Sequence, residues 1–267
     1  MTQEGHQASV ASAYSATAGA WQRGPGRIYD RMAAVVVERS PVTVTGGSAL
    51  DVGAGTGAAS RALLRAGAAQ VVAVDAAAGM LAHDAARRPP AAVADALALP
   101  FADASFDVTV AAFSLNHLPD PGAGLAEAAR VTRSGGAVLA SAYAADDFHP
   151  VKGAVESALA AAGWSPAAWY DKVRTAAVPK LATLEAGRRA ASLAGLDADV
   201  VAIRVPFPDL DAGGLVAWRM GMAQHAPFVA SLGVGERAAV AADALARLGG
   251  EWPTLERSII LVRAQVH

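Results

Sequence analysis

Apolar residues run through the middle of the chain in short blocks, each followed by a helical pattern. Residues 49–52, 71–75, 92–95, 106–113 and 137–140 read as strands. Between them, 58–66 reads as a helix with Arg61 and Arg65 on one face and Ala59, Ala62, Leu63 and Ala66 elsewhere. A second helix, 80–87, ends at Pro89-Pro90. A third starts at Asp120-Pro121, a capping carboxylate before a first-turn proline, carries Leu125 and Val131, and closes at Gly135-Gly136. Upstream, 27–39 reads as a helix entering the core and stopped by Ser40-Pro41. Residues 1–26 read either as a floppy tail or as a short helix folded over a ligand site, with Tyr14 and Trp21 as isolated aromatics.

The last 120 or so residues are less regular. A helix is expected at 151–162, another at 184–193 ending at Gly195, and a strand at 200–205. Residues 213–248 look helical again, with Ala241, Leu245 and Leu248 on one face, and 258–262 form a final strand. Apolar strands alternating with helices mean a mostly parallel sheet, here of about seven strands, with helices on both faces.

Composition narrows the class. The chain has 267 residues, a net charge of −2 and no cysteine. A single domain of this size buries roughly three quarters of its unfolded surface, so it needs no disulfide or structural metal. Without cysteine there is no cysteine nucleophile, iron–sulfur site or Cys-based zinc site. The near-neutral charge argues against non-specific nucleic-acid binding, which rests on clustered Lys and Arg. No run of 18 or more residues is free of charge and apolar throughout, and the first residues lack the basic and then apolar blocks of an export signal. A cytoplasmic protein with no membrane partner is the expectation.

The chemistry concentrates in Leu50-Asp51-Val52-Gly53-Ala54-Gly55-Thr56-Gly57, at the end of the first strand and the start of a helix. Glycines there let the backbone turn sharply and approach a ligand. Asp75, about twenty residues on, ends the next strand and is placed to accept from both hydroxyls of a ribose. Asp95-Ala96 ends the third strand, where its carboxylate can accept from an adenine amino group. A plain strand-to-helix turn and a dinucleotide site are the rival readings. The glycines lack the later third position of the dinucleotide motif. Asp51 also stands where a pyrophosphate would dock, and a carboxylate there repels phosphate and attracts a cation. Ribose, adenine and a positive centre together describe S-adenosylmethionine.

The segments LDVGAGTG (50–57), VVAVDAAAGML (71–81), VADALALPFADASFDVTVAAFSLNHLPDP (93–121) and EAARVTRSGGAVLASAY (127–143) resemble the class I S-adenosylmethionine-dependent methyltransferases. The likeness is to the small-molecule branch similar to ubiquinone/menaquinone-biosynthesis enzymes, and it covers roughly 36–143. It implies a Rossmann-like seven-stranded α/β sheet whose last strand is antiparallel and inserted beside the fifth. It implies a single domain over 1–267. Residues 1–40 would be a helical lid, 41–143 the cofactor core, 144–180 and 212–250 helical substrate-covering insertions, and 181–211 with 251–267 the rest of the core. By resemblance, Gly53, Gly55 and Gly57, with Asp51 and Ala54 beside them, line the methionine part of the cofactor, and Asp75 holds the ribose. Met80 packs by the adenosine, Asp95 and Ala96 face the adenine, Ala112 and Phe113 lie beside the cofactor, and Tyr14 and Trp21 close over it.

Methyl transfer to O, N or C is an in-line displacement in which the enzyme holds the nucleophile near the methyl. A base is needed only if the acceptor must lose a proton. His117, after the fourth strand, is the candidate base, with a structural or cofactor contact as the plainer reading. His149 and His225 are weaker candidates. Trp164, Trp169, Tyr170, Trp218 and Phe228 would line an apolar or aromatic substrate pocket, or simply pack the core. Asp146 and Asp147 read as a solvated loop rather than metal ligands, and no metal is expected. The expected partner is a small-molecule acceptor, and the chain would work as a monomer or homodimer. A methyltransferase-fold protein running a cyclisation or isomerisation stays open beside methyl transfer.

Overall fold

A computed structural model describes residues 3–267. Seven strands form one sheet in the order β3-β2-β1-β4-β5-β7-β6. They are β1 (Ser48–Val52), β2 (Gln70–Asp75), β3 (Ala91–Val93), β4 (Phe106–Ala112), β5 (Thr132–Tyr143), β6 (Ala198–Phe207) and β7 (Leu255–Gln265). All pairs from β3 to β5 are parallel, and β7 runs antiparallel between β5 and β6. The expected seven-stranded, mostly parallel α/β architecture is therefore observed, down to the inserted last strand.

Side chains alternate across the sheet and feed two cores. Ala49, Val71, Val108, Val110 and Leu139 pack on one face; Leu50, Val52, Val74, Ala111 and Val138 pack on the other. Burial on both sides explains why these strands read as unbroken apolar runs. On the first face lie α3 (Gly26–Val37), α4 (Ala58–Arg65) and the later α7 (Pro150–Ala161), α10 (Ala212–Met220) and α12 (Val234–Leu248). On the second lie α6 (Pro121–Val131) and α9 (Leu184–Leu193).

The N-terminal region is helical as far as it is described: α1 (Gln3–Ser15) and α2 (Ala18–Arg23). Met1 and Thr2 lie outside the described residues. The short α5 (Ala78–Ala82) receives the end of α1, because Gly79 has no side chain to keep it away. A Cβ there would stand 2.3 Å from the Ser15 carbonyl oxygen. The Gly79 amide also donates to Ser15 Oγ at 3.2 Å.

Several local expectations are corrected. The helix expected at 80–87 is α5 plus a separate 3-10 turn, Ala85–Arg87, split where Asp84 takes a left-handed φ of 51°. The helix at Asp120-Pro121 is capped as expected, with Ala123 N donating to Asp120 Oδ1 at 3.1 Å. It stops at Val131 rather than at Gly135-Gly136. Those glycines lie inside β5, and a Cβ on Gly136 would sit 2.5 Å from the Asp107 carbonyl oxygen. Gly136 marks a close strand approach and Gly135, at φ +79°, a local turn of the backbone, not a helix end. Residues 213–248 break into α10, α11 (Ala226–Ser231) and α12, and the buried face of α12 is Val240, Ala244 and Leu248. Leu245, expected inward, is 37% exposed.

Candidate functional site

A cavity of about 350 Å³ opens where the carboxyl ends of β1, β2 and β4 meet the N-terminal helices. Open parallel sheets bind ligands at this end because the loops there diverge around the reversal of strand order.

The floor is the glycine loop. Gly53 takes φ +71°, and a Cβ on it would fall 2.2 Å from Ser114 Cβ. The absent side chain lets the ends of β1 and β4 touch, and Ser114 Oγ donates to the Val52 carbonyl at 2.7 Å. Gly55, at φ +54°, has nothing within 4 Å of its Cβ position, so the backbone there is open to a ligand. Two arginines fix the loop from outside. Arg61 Nη1 donates to the Thr56 carbonyl at 2.7 Å, and Arg88 Nη2 to that of Gly55 at 3.2 Å. Gly57 starts α4 with φ +92° and is not part of the cavity lining; its contribution is the turn.

Three carboxylates face the cavity: Asp51, Asp75 and Asp95, with no lysine or arginine among its described lining residues. Asp51, 1% exposed, accepts from Ser60 N (2.7 Å) and Ser60 Oγ (2.6 Å) through one oxygen. Burial raises its pKa to about 6. Asp75 accepts from Gly55 N and Ala77 N, both at 2.7 Å, one on each oxygen. Burial raises its pKa, opposed by those two hydrogen bonds. A carboxylate has about four lone-pair directions, so each oxygen keeps one for a ligand. Asp95 follows β3, and its Oδ1 accepts from Leu97 N at 2.9 Å. Ala54, Ala96, Met80 and Ala112 line the apolar parts.

Phe113 also lines the cavity and carries φ +59°, a left-handed backbone that is strained for an aromatic residue. Its amide donates to Ser141 O at 3.0 Å, which holds the turn. Over the mouth, Tyr14 Oη donates to His117 Nε2 at 3.1 Å. His117 Nδ1–H donates to the Ser114 carbonyl at 3.2 Å, which leaves Nε2 as the accepting nitrogen. Burial lowers the His117 pKa to about 4, so the imidazole is neutral near pH 7. Burial raises that of Tyr14, which stays a neutral phenol.

Trp21 lines the cavity with Tyr14; sequence reading missed Tyr29 and Ser114 in the lining and Arg88 behind the loop. Trp21 and Tyr29 stack at 4.7 Å, and Tyr29 meets Phe113 edge-on at 5.4 Å. By contrast, Trp164, Trp169, Tyr170, Trp218 and Phe228 do not line this cavity. Trp218 is core, and Trp164 Nε1 donates to Gln224 O at 3.1 Å. His149 caps α7, accepting from Val151 N while its Nε2–H donates to Pro253 O. His225 is fully buried away from the cavity, and its Nδ1–H donates to Arg219 O. Neither histidine reaches the site. Asp147 is not a solvated loop residue: its side chain is 3% exposed and paired with Arg257 and Lys152.

Residues 50–140 match the model of a methyltransferase domain. A demethylmenaquinone methyltransferase of Renibacterium salmoninarum is 37% identical over 145 residues, 54% of this chain and 59% of that protein. One from Mycolicibacterium vanbaalenii is 39% identical over 130 residues, 49% and 55% of the two chains. Residues 50–140, which carry the glycine loop and the three cavity carboxylates, are thus similar to a methyltransferase domain. The chain spans somewhat more than half the length of these curated relatives. In solved structures, the methyltransferase fold recurs in a protein assigned to an antibiotic biosynthesis pathway of Anabaena variabilis, with TM-score 0.60 and 17% identity over 86% of this chain and 96% of that one. It recurs also in Haemonchus contortus phosphoethanolamine N-methyltransferase 2, with TM-score 0.54 and 19% identity over 88% and 52%. Among the described residues, no helix is long and apolar enough to cross a membrane.

Proposed function

We propose that the chain transfers a methyl group from S-adenosylmethionine to O, N or C of a small apolar or aromatic metabolite. The observation that carries this reading is the charge of the cavity: three carboxylates, and no lysine or arginine among its described lining residues, around an open glycine backbone. That surface suits a cationic adenosyl ligand and repels a pyrophosphate. When bound, S-adenosylmethionine supplies an activated methyl on a sulfonium leaving group. Gly53, Ala54, Gly55 and Asp51 would hold its methionine part, Asp75 its ribose, and Met80, Asp95 and Ala96 its adenosine. Tyr14, Ala112 and Phe113 would enclose it. The aromatic wall of Trp21, Tyr29 and Phe113 supports an apolar or aromatic acceptor, as do the quinone-type substrates in the names of the relatives.

Side-by-side calorimetry with S-adenosylmethionine, S-adenosylhomocysteine and NAD tests the ligand class. Binding of the two adenosyl ligands without NAD is expected, followed by acceptors that gain one methylene in mass. Absence of adenosyl binding would withdraw the proposal.

Asp51 adds a pH signature. Its folded pKa, about 6, lies above the unfolded carboxylate value near 3.8, so the free folded protein holds this proton more tightly. Ligand-free stability from this group is full below about pH 4 and is lost as pH rises to about 6. A cationic ligand favours the carboxylate, so binding expels the proton. Affinity for S-adenosylmethionine should rise about tenfold between pH 5 and 7 and level off above. Calorimetry across that range in Asp51→Asn should show the slope gone; a slope that persists assigns it elsewhere.

His117 is the proposed base. It stays neutral across the range in which enzymes are assayed, and its Nε2 lone pair points at the Tyr14 hydroxyl. An acceptor proton passes to Nε2 directly or through Tyr14. His117→Ala should lower turnover at saturating S-adenosylmethionine by about 10²-fold or more with little change in cofactor affinity. A variant with normal turnover removes His117 from the chemistry.

A further inference from the structure

Beyond Phe113 lies a charged cluster that the methyl-transfer reading leaves unused. Arg257, on β7 and 2% exposed, donates through Nε and Nη2 to the two oxygens of Asp147, at 2.9 and 2.7 Å. Lys152 of α7 reaches the same carboxylate at 2.5 Å. Alongside, Arg219 of α10, 5% exposed, donates to Glu156 Oε1 at 2.6 Å. His225 Nε2 stands 3.8 Å from that oxygen, and burial with Arg219 beside it lowers its pKa to about 3, so it adds no charge. Three cations therefore meet two carboxylates, and one of these, Glu156, is 41% exposed at its side chain. Burial first, and then Arg257 beside it, pull the Lys152 pKa down to about 8.

The surplus coincides with idle donors. Arg257 Nη1, Trp218 Nε1, Arg219 Nε and Tyr143 Oη are buried and make no hydrogen bond. Tyr143 Oη faces the Tyr29 hydroxyl as a weak donor, which lowers the Tyr29 pKa against the rise from burial, but no hydrogen bond of normal geometry closes between them. The great majority of buried donors in proteins are bonded, and an idle one is costly. Arg257 is the hub: its guanidinium lies 3.9 Å from the Tyr143 ring centre and 4.6 Å from that of Trp218. Tyr143 in turn stacks on Phe113 at 4.9 Å, and Phe113 lines the cofactor cavity. Tyr143 ends β5, so the cluster sits at the ligand-binding end of the sheet.

The geometry points to an oxyanion subsite for the acceptor. A carboxylate on the substrate is received by Arg257 Nη1, with Tyr143 Oη and Trp218 Nε1 as neutral donors. The aromatic body of that substrate lies along Tyr29 and Phe113, which aims its far end at the cofactor cavity. The ligand class is an aromatic carboxylic acid. That this ligand is the methyl acceptor rests on the methyl-transfer reading; that the site takes an anion does not.

The test is calorimetry of the S-adenosylhomocysteine-saturated protein with 3-phenylpropanoate and with its neutral amide. The acid should bind at least tenfold more tightly than the amide. Tyr143→Phe, which removes one oxygen only, should cut acid binding several-fold and leave amide and S-adenosylhomocysteine binding unchanged. Arg257→Gln should abolish the preference; if it fails to fold, Tyr143→Phe still decides. Equal binding of acid and amide, binding of neither by protein that takes up S-adenosylhomocysteine, or an unchanged ratio in Tyr143→Phe overturns the subsite. Acid binding by protein that takes up no adenosyl ligand keeps the subsite and removes the methyl-transfer reading instead.

Discussion

Replacing Asp75 by Ala should weaken S-adenosylmethionine binding by about 100-fold or more. The carboxylate joins two tasks. It takes the amides of Gly55 and Ala77, one on each oxygen, and so sets the spacing between the glycine loop and the end of β2. Its remaining lone pairs are the proposed acceptors for the ribose hydroxyls. A hydrogen bond to a charged group contributes about 1.5–3 kcal/mol, so two of them account for a loss of two orders of magnitude or more. Ala also leaves the Gly55 and Ala77 amides without their partner, which loosens the loop before any ligand arrives. Asn separates the effects: it keeps the size and one acceptor oxygen, and should fall between wild type and Ala. Calorimetric affinities for S-adenosylhomocysteine, set against melting temperatures without ligand, check this. Wild-type affinity in a folded Asp75→Ala protein would remove the ribose role.

The parts of the site that were legible in the sequence are those built from one strand end and the turn after it. Asp51, the glycine loop, Asp75 and Asp95 belong to this set, because their spacing follows from strand and loop lengths. The aromatic wall was legible only in part: Phe113 and Trp21 were expected at the cofactor, whereas Tyr29 and the contacts that join the three were not. Trp21, Tyr29 and Phe113 come from α2, α3 and the end of β4, and only packing brings them together. The left-handed backbone of Phe113 left no trace in composition, since a glycine would have been the ordinary residue there. The same limit applies to the fold. Parallel strands buried on both faces declared themselves as apolar runs. β6 and β7 came out shorter than they are: Asp199 and Pro206 bound the apolar run read as β6, and Arg257 and Arg263 that read as β7. β3 was placed a residue late: all three of its residues are exposed at the sheet edge, so no burial pattern marks its bounds. Asp147 misled for the most instructive reason. In the sequence it sits in a polar stretch, and its partner Arg257 is 110 residues away.

That pair carries the second large effect. Asp147→Ala should destabilise the ligand-free protein by about 3–5 kcal/mol. Removal of this carboxylate strips both bonds from a guanidinium that is 2% exposed, takes the ion pair from Lys152, which keeps only the Asp147 carbonyl, and frees the Ser258 amide that donates to Asp147 Oδ1 at 3.0 Å. The charge imbalance makes the loss worse than for an ordinary buried pair, since Arg257, Lys152 and Arg219 would then face Glu156 alone. Folded domains have only about 5–15 kcal/mol in total, so the melting temperature should fall by roughly 10 °C or more. Removing both partners should cost much less, because Asp147→Leu with Arg257→Met leaves no uncompensated buried charge. The double variant also separates the two roles of Arg257. If the guanidinium only pins β7 to the loop after β5, restoring stability restores acceptor binding as well. If it receives a substrate carboxylate, the double variant is stable, binds S-adenosylhomocysteine normally, and no longer prefers 3-phenylpropanoate to its amide. Thermal melts of the single and double variants, followed by that one ligand comparison, distinguish the two.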